Sequence, residues 1–276
     1  MAQRKINDYN SRAVKRDQGI VEASARTVHR TGILPGHQAF SREEAAEALD
    51  RLWEEAETEA GVDPNKPSTW SRRHLHIRKG LVDPPFRKIA HAPRLRDAFD
   101  DVLGEGRWHP LNGLGWWPIT FPGFDPKPWQ EPQDGWHVDG IQFHHHVNSP
   151  DQGLLPIPIF SDIGPGGGGT VISLGSHKLT TRILQQSEPD GLSCGRLSQA
   201  VRLHPREKVV EVQGNMGDVA LLHPFMLHAN SANCGVAPRI ICNPCVRLRE
   251  PMKLKRANPD DYSAVERAIV NALNLA

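Results

Sequence analysis

The sequence lacks the features that mark membrane, secreted and nucleic-acid-binding proteins. No apolar run approaches the roughly 18 residues that a membrane-spanning helix requires. The 33 Lys and Arg residues are balanced by 32 Asp and Glu residues, which gives no electrostatic reason to expect a nucleic acid or an anionic membrane as partner. The first residues contain neither the apolar segment nor the cleavage pattern of a secretory signal. We therefore expect a cytoplasmic protein.

Cysteine is also scarce, with four residues in 276. In an intracellular protein these are expected to be reduced thiols rather than a disulfide framework. Cys242 and Cys245 have the spacing of a zinc or redox site, but zinc needs two further ligands and a redox pair should begin a helix. The flanking residues are typical of a strand. We interpret the pair as structural, with a metal or redox role as the alternative.

A run of glycines at residues 164–169 is not a phosphate-binding loop. It lacks the Lys-Ser/Thr pair and the following helix that such a loop needs. The run instead predicts a flexible turn between strands.

The length of the chain suits one large domain, and its 38% hydrophobic and 24% charged residues are ordinary for a globular enzyme. Residues 1–30 are polar and basic and predict an N-terminal arm, whereas residues 31–276 are expected to form a single domain. Within it we expect helical support over residues 41–104. A β core should follow over about 108–250, and a C-terminal helix over about 260–275.

Capping signals define the predicted helices. Ser41 and Glu44 form a capping box that opens a helix reaching about Ala60. A second helix is predicted from Ala92 to Leu103. Short apolar runs between turn signals then predict strands, which we place at 170–174, 208–212, 218–222, 225–228 and 239–248. Helices followed by many short strands favour a mainly β fold, a sandwich or barrel with flanking helices.

Two short segments far apart in the chain carry the chemistry. His137 and Asp139 are two residues apart, so on a strand their side chains share one face. His228 opens a later strand that can fold back beside the first. Two imidazoles and one carboxylate make the facial triad that holds Fe(II) and leaves positions open for a co-substrate and oxygen. Arg239 adds a fork-shaped cation suited to a free carboxylate. The pattern predicts a non-haem iron, 2-oxoglutarate-dependent oxygenase.

Other histidines are weaker candidates for the metal. Residues 144–146 are three consecutive histidines, but consecutive strand residues point to opposite faces and cannot all chelate one ion. His223 lies five residues before His228, so we expect it in the core or behind the ligands. His177 follows a predicted strand and is expected to be a structural or pocket residue.

Four segments in order resemble the phytanoyl-CoA dioxygenase family. They are Trp136 to Asp139, Gly168 to Lys178, Gly217 to Pro224, and His228 to Asn233 with Arg239. The resemblance covers about residues 108 to 250. It implies a double-stranded β-helix, that is, a cupin-like jelly roll closed by helices.

The resemblance also implies the cofactors and their residues. His137, Asp139 and His228 would bind Fe(II), and Arg239 would pair with the distal carboxylate of 2-oxoglutarate. Asn230 stands where the family usually has a small hydroxyl residue, and we assign it, with Thr170, to co-substrate binding. Related halogenases carry Gly or Ala in place of the Asp, so Asp139 favours hydroxylation with release of succinate and carbon dioxide; desaturation and cyclisation remain open.

The substrate is expected to be a small organic molecule that reacts with O2. Aromatic residues near the first ligands are candidates for an apolar pocket wall or for core packing: Trp116, Trp117, Phe121, Phe124, Trp129 and Phe143. Arg72, Arg73 and Arg78 could meet an acidic substrate, but we expect them to face solvent. Two alternatives stay open: a cupin-like metalloenzyme that does not use 2-oxoglutarate, and an inactive jelly-roll binding protein.

Overall fold

The computed structural model describes residues 32–35, 38–206 and 208–275. The N-terminal arm predicted for residues 1–30 lies outside them. No helix in these ranges combines the length and apolar character needed to cross a membrane.

The predicted first helix is confirmed as α1, Arg42–Ala60. Ser41 Oγ accepts a hydrogen bond from the Glu44 amide at 3.1 Å, and Glu44 Oε2 accepts one from the Ser41 amide at 2.9 Å. Gly61 ends the helix in the left-handed conformation, which glycine adopts without steric cost. Two shorter helices come later in the chain: α2, Pro84–Ala90, and α3, Pro93–Leu103. The α3 helix confirms the second predicted helix.

The strands are short and pair in antiparallel sheets. They are β1 Ile33–Pro35, β2 His74–Leu81, β3 Leu114–Thr120, β4 His144–His145, β5 Leu155–Pro158, β6 Val171–Ser173, β7 Leu192–Ser193, β8 Val209–Glu211, β9 Val219–Leu222, β10 His228–Ala229 and β11 Arg239–Ile240. The three-stranded sheets have the orders β1-β9-β5, β10-β6-β8 and β11-β3-β2, and β4 pairs with β7. Single bridges such as Ile159 to Ile241 and His137 to His228 extend this pairing between sheets.

A mainly β chain is not confirmed, because the described helices contain more residues than the strands. Two helices were missed: α4, Ser176–Gln186, and α5, Cys194–Arg202. The α4 helix begins after Gly175, which offers no capping side chain. Its Thr180 and Thr181 are β-branched residues that favour strands, but their hydroxyls donate to carbonyls four residues earlier. The missing cap and the two threonines therefore did not predict a helix here, and we attribute α4 to tertiary packing.

Two of the predicted strands are much shorter in the structure. The segment predicted at 225–228 is strand only from His228, because the Met226 amide turns back to the His223 carbonyl at 3.1 Å. The segment predicted at 239–248 is strand only over Arg239–Ile240 and continues as isolated bridges. The predicted strands near 170, 208 and 218 are confirmed as β6, β8 and β9.

Aromatic packing joins the helices to the sheets behind the site. Trp117 of β3 is fully buried and meets Phe86 of α2 and Phe160 edge to face, with ring centroids 5.3 and 5.0 Å apart. A second apolar cluster includes Ile157, Leu222 and Ile241. The aromatic cluster packs against β3, whereas Ile157 and Ile241 of the second cluster also line the cavity of the candidate site.

The C-terminal helix α6, Ala264–Ala272, is held by one buried carboxylate. Glu266 Oε2 accepts from Arg107 at 3.0 Å, and Oε1 accepts from Arg256 at 2.9 Å and from the Lys253 amide at 2.8 Å. It also completes a capping box with Ser263. Burial alone would raise the pKa of Glu266, but these hydrogen bonds outweigh it and lower the pKa below its usual 4.5.

We predict that Glu266→Gln lowers the free energy of unfolding by about 2 kcal/mol at pH 7. The effect is smaller than for a fully buried ion pair, because Arg107 is partly exposed and solvent weakens its attraction to Glu266. Because the folded pKa is depressed, the contribution is present above pH 4.5 and lost as the pH falls through the folded pKa. Denaturant unfolding at several pH values should show the gap to wild type closing in acid. Glu250→Gln is the control, since Glu250 pairs with Lys253 on an exposed surface. A gap that does not change with pH would contradict this account.

Candidate metal centre

A two-way backbone bridge brings the distant segments together. The His137 amide donates to the His228 carbonyl at 2.8 Å, and the His228 amide donates back at 2.9 Å. Residues that exchange both hydrogen bonds in an antiparallel pair lie directly opposite each other, with side chains on one face. The two imidazole centroids are accordingly 4.4 Å apart.

Asp139 completes the cluster from the same face, two residues after His137. Its Oδ1 lies 3.3 Å from His137 Nε2 and 3.6 Å from His228 Nε2. One ligand atom from each of the three residues lies within 4.8 Å of the others. It is the one cluster of this kind found in the described part of the chain. The structure therefore brings together the three residues predicted as ligands.

The hydrogen bonds of the two rings determine which nitrogens face inward. His137 Nδ1 lies 2.8 Å from the Gly135 carbonyl, and His228 Nδ1 lies 3.0 Å from the Met226 carbonyl. Because a carbonyl only accepts, Nδ1 carries the proton of each neutral ring and Nε2 keeps a lone pair. Two lone pairs and a carboxylate oxygen then converge, which is repulsive without a cation between them. This donor set fits a divalent metal ion, with each ring oriented from behind.

The same closeness shifts the pKa values of the cluster. Burial alone would raise the pKa of Asp139, but the two imidazoles outweigh it and hold that pKa well below 3.8. Burial lowers the pKa of His137, but without a metal the Nε2 of the protonated ring donates to Asp139, which reverses the direction, so the net pKa lies above 6.5. The carboxylate is therefore ionised at neutral pH and available as a ligand.

Asn243 holds the second oxygen of the carboxylate. Its Nδ2 donates to Asp139 Oδ2 at 3.0 Å. Because carboxylate oxygens only accept, the amide must turn its nitrogen toward Asp139, and this leaves Asn243 Oδ1 buried with no hydrogen-bond partner among the described residues. Asn243 therefore occupies one oxygen of Asp139 and leaves Oδ1 facing the imidazoles.

The cluster opens into a cavity of about 400 Å³. Thr170 and Asn230 line it together with the three clustered residues, as do His76, Arg78 and Trp116 from β2 and β3. Its apolar lining comes from Ile141, Leu155, Ile157 and Ile241. A pocket with apolar walls and a few polar or metal-binding groups is the usual form of a small-molecule site.

Arg239 is fully buried and contacts Asn230, which lines the cavity. Its Nη2 donates to Asn230 Oδ1 at 3.0 Å, its Nε to the Gly168 carbonyl at 2.6 Å, and its Nη1 to the Pro118 carbonyl at 2.7 Å. Burial lowers the pKa of Arg239 to about 9, while the Glu211 carboxylate raises it, so the guanidinium is charged at neutral pH. Three of its five N–H donors are used, which leaves two for a ligand.

The Gly-rich segment forms the predicted turn and has a supporting role at this site. Gly168 has a φ of +82°, a conformation that favours glycine, and its carbonyl is the one that receives Arg239 Nε. The Gly166 and Gly169 amides donate to the Glu211 carboxylate at 2.7 and 3.0 Å. The glycines thus fix a carbonyl and a carboxylate around the guanidinium.

The aromatic wall expected from the sequence reduces to a single residue. Of the six candidates, only Trp116 lines the cavity. Trp117 and Phe121 are fully buried in the core, and Phe124 is 43% exposed. Trp129 is half-buried and Phe143 packs on His145 with ring centroids 4.8 Å apart.

Arg72 and Arg78 are exposed, as expected for the three basic residues, and Arg73 is half-buried. Arg73 pairs with Asp125 at 2.9 Å. Arg78 also lines the cavity. Sequence reasoning missed His76 and Asn243. The only available signal for Asn243 was its position in the strand-like segment after Arg239, where it was overshadowed by the two cysteines.

The other histidines and the cysteine pair stay outside the cluster. His144 is exposed, His145 is buried against the Gly140 carbonyl, and His146 pairs with Glu188 at 3.1 Å. The three consecutive rings therefore do not converge, as predicted. His223 is buried in the core, with its ring centroid 5.0 Å from that of His177.

All four cysteines are free thiols. Cys242 is buried in the apolar core, and burial raises the pKa of its thiol well above the usual value. Cys245 lies on the other side, toward the cavity, where burial raises its pKa to about 12. Neither belongs to a metal cluster within the described ranges, and no helix begins at the pair.

We predict that the wild-type protein binds one Co(II) or Mn(II) ion and that Asp139→Ala weakens this binding by at least about 100-fold, because the only anionic ligand is removed. Anaerobic titration calorimetry would measure both constants. His144→Ala serves as the control and should bind as the wild type does. A loss of similar size in His144→Ala would place the metal at the consecutive histidines instead.

Comparison with known proteins agrees with this geometry. A model of the family described as phytanoyl-CoA dioxygenase (PhyH) matches residues 28–241. No curated protein sequence gives a match. The crystal structure of the epimerase SnoN in complex with Fe3+, alpha ketoglutarate and nogalamycin RO superposes with a TM-score of 0.53 at 16% identity, over 83% of this chain and 84% of that one.

A second solved structure, EctD from S. alaskensis with bound Fe, gives a TM-score of 0.52 at 19% identity, over 84% of this chain and 80% of that one. At these identities the superpositions show a shared fold. The family match covers well over half of the chain and confirms the resemblance carried by the four sequence segments. The protein belongs to the phytanoyl-CoA dioxygenase (PhyH) family.

Proposed function

We propose that this protein is a non-haem Fe(II)/2-oxoglutarate-dependent dioxygenase that hydroxylates a small organic molecule and releases succinate and carbon dioxide. The observation that carries the proposal is the convergence of two imidazole Nε2 atoms and one carboxylate oxygen within 4.8 Å. Family membership supports it, as does a fold shared with SnoN and EctD, whose structures contain iron. We also propose that residues 31–276 form one domain with a double-stranded β-helix over about 108–250.

His137, Asp139 and His228 would hold the iron on one face, and this chain's other residues would position the reactants. Bound Fe(II) would supply the redox chemistry that couples the oxidative decarboxylation of 2-oxoglutarate by O2 to oxidation of the substrate. The Nδ1 hydrogen bonds keep both rings in the ligating tautomer. Asp139 occupies the position that Gly or Ala takes in related halogenases, which favours hydroxylation.

Arg239 is proposed to bind the distal carboxylate of 2-oxoglutarate. It has two N–H donors left after its three hydrogen bonds, and a bidentate contact needs two. Asn230 uses its Oδ1 on Arg239, so its amide group is free to donate to the same carboxylate. Thr170 lines the same cavity and is proposed to add a hydroxyl. The apolar walls would limit water around the reacting atoms.

Anaerobic titration tests the proposal directly. We expect a weak visible charge-transfer band only when Fe(II) and 2-oxoglutarate are both present. Arg239→Lys keeps a charge but loses the planar fork, so the apparent dissociation constant of 2-oxoglutarate should rise about 10- to 100-fold. Unchanged Co(II) affinity in that variant would show that the metal site is intact. Absence of the band in the wild type would overturn the assignment.

The same titration separates the two alternatives. A cupin-like enzyme that does not use 2-oxoglutarate would bind the metal but give no band with the keto acid, and its activity would survive loss of Arg239. An inactive binding protein would give no substrate-stimulated succinate release. Succinate measured across a panel of small molecules distinguishes this last case from a dioxygenase.

Asn243 offers a second test, independent of the co-substrate. Asn243→Leu removes the donor to Asp139 Oδ2 and frees the carboxylate to rotate. We expect Co(II) affinity to fall about 10- to 100-fold, the usual effect of losing a group that orients a metal ligand. Gln152→Leu is the matched control, because Gln152 lines the same cavity but is not the residue that holds Asp139. If the two substitutions lowered Co(II) affinity equally, the hydrogen bond from Asn243 to Asp139 would not be the cause, and Asn243 would contribute only to packing.

A further inference from the structure

We propose that the substrate of this site carries an anionic group, a carboxylate or a phosphate, and that Arg78 binds it. The inference rests on the proposed function and adds the chemical class of the molecule that is oxidised. It is carried by the position of Arg78 in the cavity wall, by the absence of an ion pair to Arg78 within the described residues, and by the charges in the cavity.

The strand geometry directs Arg78 to the cavity. His76 and Arg78 are two residues apart on β2 and line the cavity, while Ile77 between them is fully buried on the opposite face. The register of β2 against β3 passes from Ile77↔Trp117 to Gly80↔Gly115. Two residues of β2, Arg78 and Lys79, therefore face one residue of β3, Trp116.

This irregularity is a β-bulge, a feature that re-aims side chains beside functional sites. Trp116 sits at its centre with a φ of +58°, a conformation that is costly for a bulky residue. Its ring meets that of His76 edge to face, with centroids 5.8 Å apart. The bulge thus places a cation and two rings on one cavity wall.

Arg78 lines the cavity without a carboxylate partner among the described residues, whereas two nearby cations are paired. Arg73 pairs with Asp125, and Lys79 pairs with Glu55 and Glu59. No acidic side chain among residues 38–206 and 208–275 forms an ion pair with Arg78. Among the residues that line the cavity, the only carboxylate is that of Asp139, which faces the two imidazoles.

The charges of the loaded site leave Arg78 uncompensated. In the loaded site, Fe(II) and Arg239 would engage Asp139 and the two carboxylates of 2-oxoglutarate, and Glu211 lies near Arg239, so none of these negative charges is placed to pair with Arg78. Burial and the nearby Arg78 lower the pKa of His76, so that ring is neutral at neutral pH. One cation therefore remains on the wall, and an anionic group on the substrate would neutralise it. The Arg fork matches both carboxylate and phosphate.

The rest of the wall defines the remainder of the substrate. Ile141, Leu155, Ile157 and Ile241 are apolar, and Trp116 offers an aromatic ring. These residues suit a hydrocarbon or aromatic body, which would lie between the metal and the anionic group held by Arg78. The proposed substrate is therefore a small amphiphilic anion.

The test uses the anaerobic wild-type protein with Fe(II) and saturating 2-oxoglutarate. The probes are 3-phenylpropanoate, 3-phenylpropyl phosphate and the uncharged 3-phenylpropanamide, and binding is read as a shift of the visible band or quenching of tryptophan fluorescence. We expect at least one anion to bind about tenfold or more tightly than the amide, as a charge-assisted contact should give. The anion that binds more tightly shows whether the substrate's anionic group is a carboxylate or a phosphate.

Two variants locate the effect. Arg78→Gln should abolish the preference for the anion while leaving 2-oxoglutarate binding unchanged. Arg72→Gln, an exposed arginine on the same segment that does not line the cavity, should retain the preference.

Each remaining outcome is decisive. An amide that binds as well as both anions, or no binding of any probe, overturns the proposal. So does a preference that survives in Arg78→Gln. Weaker 2-oxoglutarate binding in Arg78→Gln would assign the residue to the co-substrate instead. A wild-type protein that gives no band with Fe(II) and 2-oxoglutarate fails the proposed function itself, which separates that failure from a failure of this inference.

Discussion

The reciprocal hydrogen bonds between the His137 and His228 backbones are the constraint on which the site depends. They fix the register of two segments whose bonded histidines are 91 positions apart in the sequence. A shift of one residue would turn His228 to the opposite face and separate the ligands. Because β10 also pairs with β6 through His228↔Ile172, the same residue is tied to a three-stranded sheet. The proposed metal ligands are therefore positioned by backbone pairing, and side-chain contacts only orient them.

Arg239 represents a second constraint of a different kind. A guanidinium that is 1% exposed loses most of its hydration, and the fold compensates with two backbone carbonyls, one amide oxygen and the field of Glu211. The Gly168 carbonyl reaches it only because the backbone there adopts a positive φ. This arrangement explains why a glycine-rich turn lies next to the cavity without binding phosphate. The turn supports the cation proposed to bind the co-substrate.

The sequence predicted the ligand cluster better than it predicted the fold around it. The spacing of His137 and Asp139 depends only on the alternation of extended chain, and the later His228 needed only a neighbouring strand. The helix from Arg42 was predictable because its capping box is local. The α4 helix was not, because Gly175 gives no side-chain cap and its threonines favour strands. Tertiary packing decides such segments.

The cavity wall was hardest to predict, since it depends on register and on a bulge. Six aromatic residues near the first ligands were equal candidates from sequence, and only the strand pairing separates Trp116 from Trp117. Arg78 likewise looked like a solvent-facing residue, because its role depends on an extra residue in β2 that no local pattern signals.

Under the proposed roles, the two arginines differ in burial and would bind different ligands at this site. Arg239 is fixed by three hydrogen bonds and keeps two donors, so it suits an unvarying dicarboxylate co-substrate. Arg78 is exposed, carries no ion pair within the described ranges and stands on a bulged strand, so it can follow ligands of different length. With Arg239 fixed on the co-substrate and Arg78 able to move, the same iron-dependent reaction could act on different anionic substrates. Under this division, changes in β2 would alter substrate choice without disturbing the metal or the co-substrate.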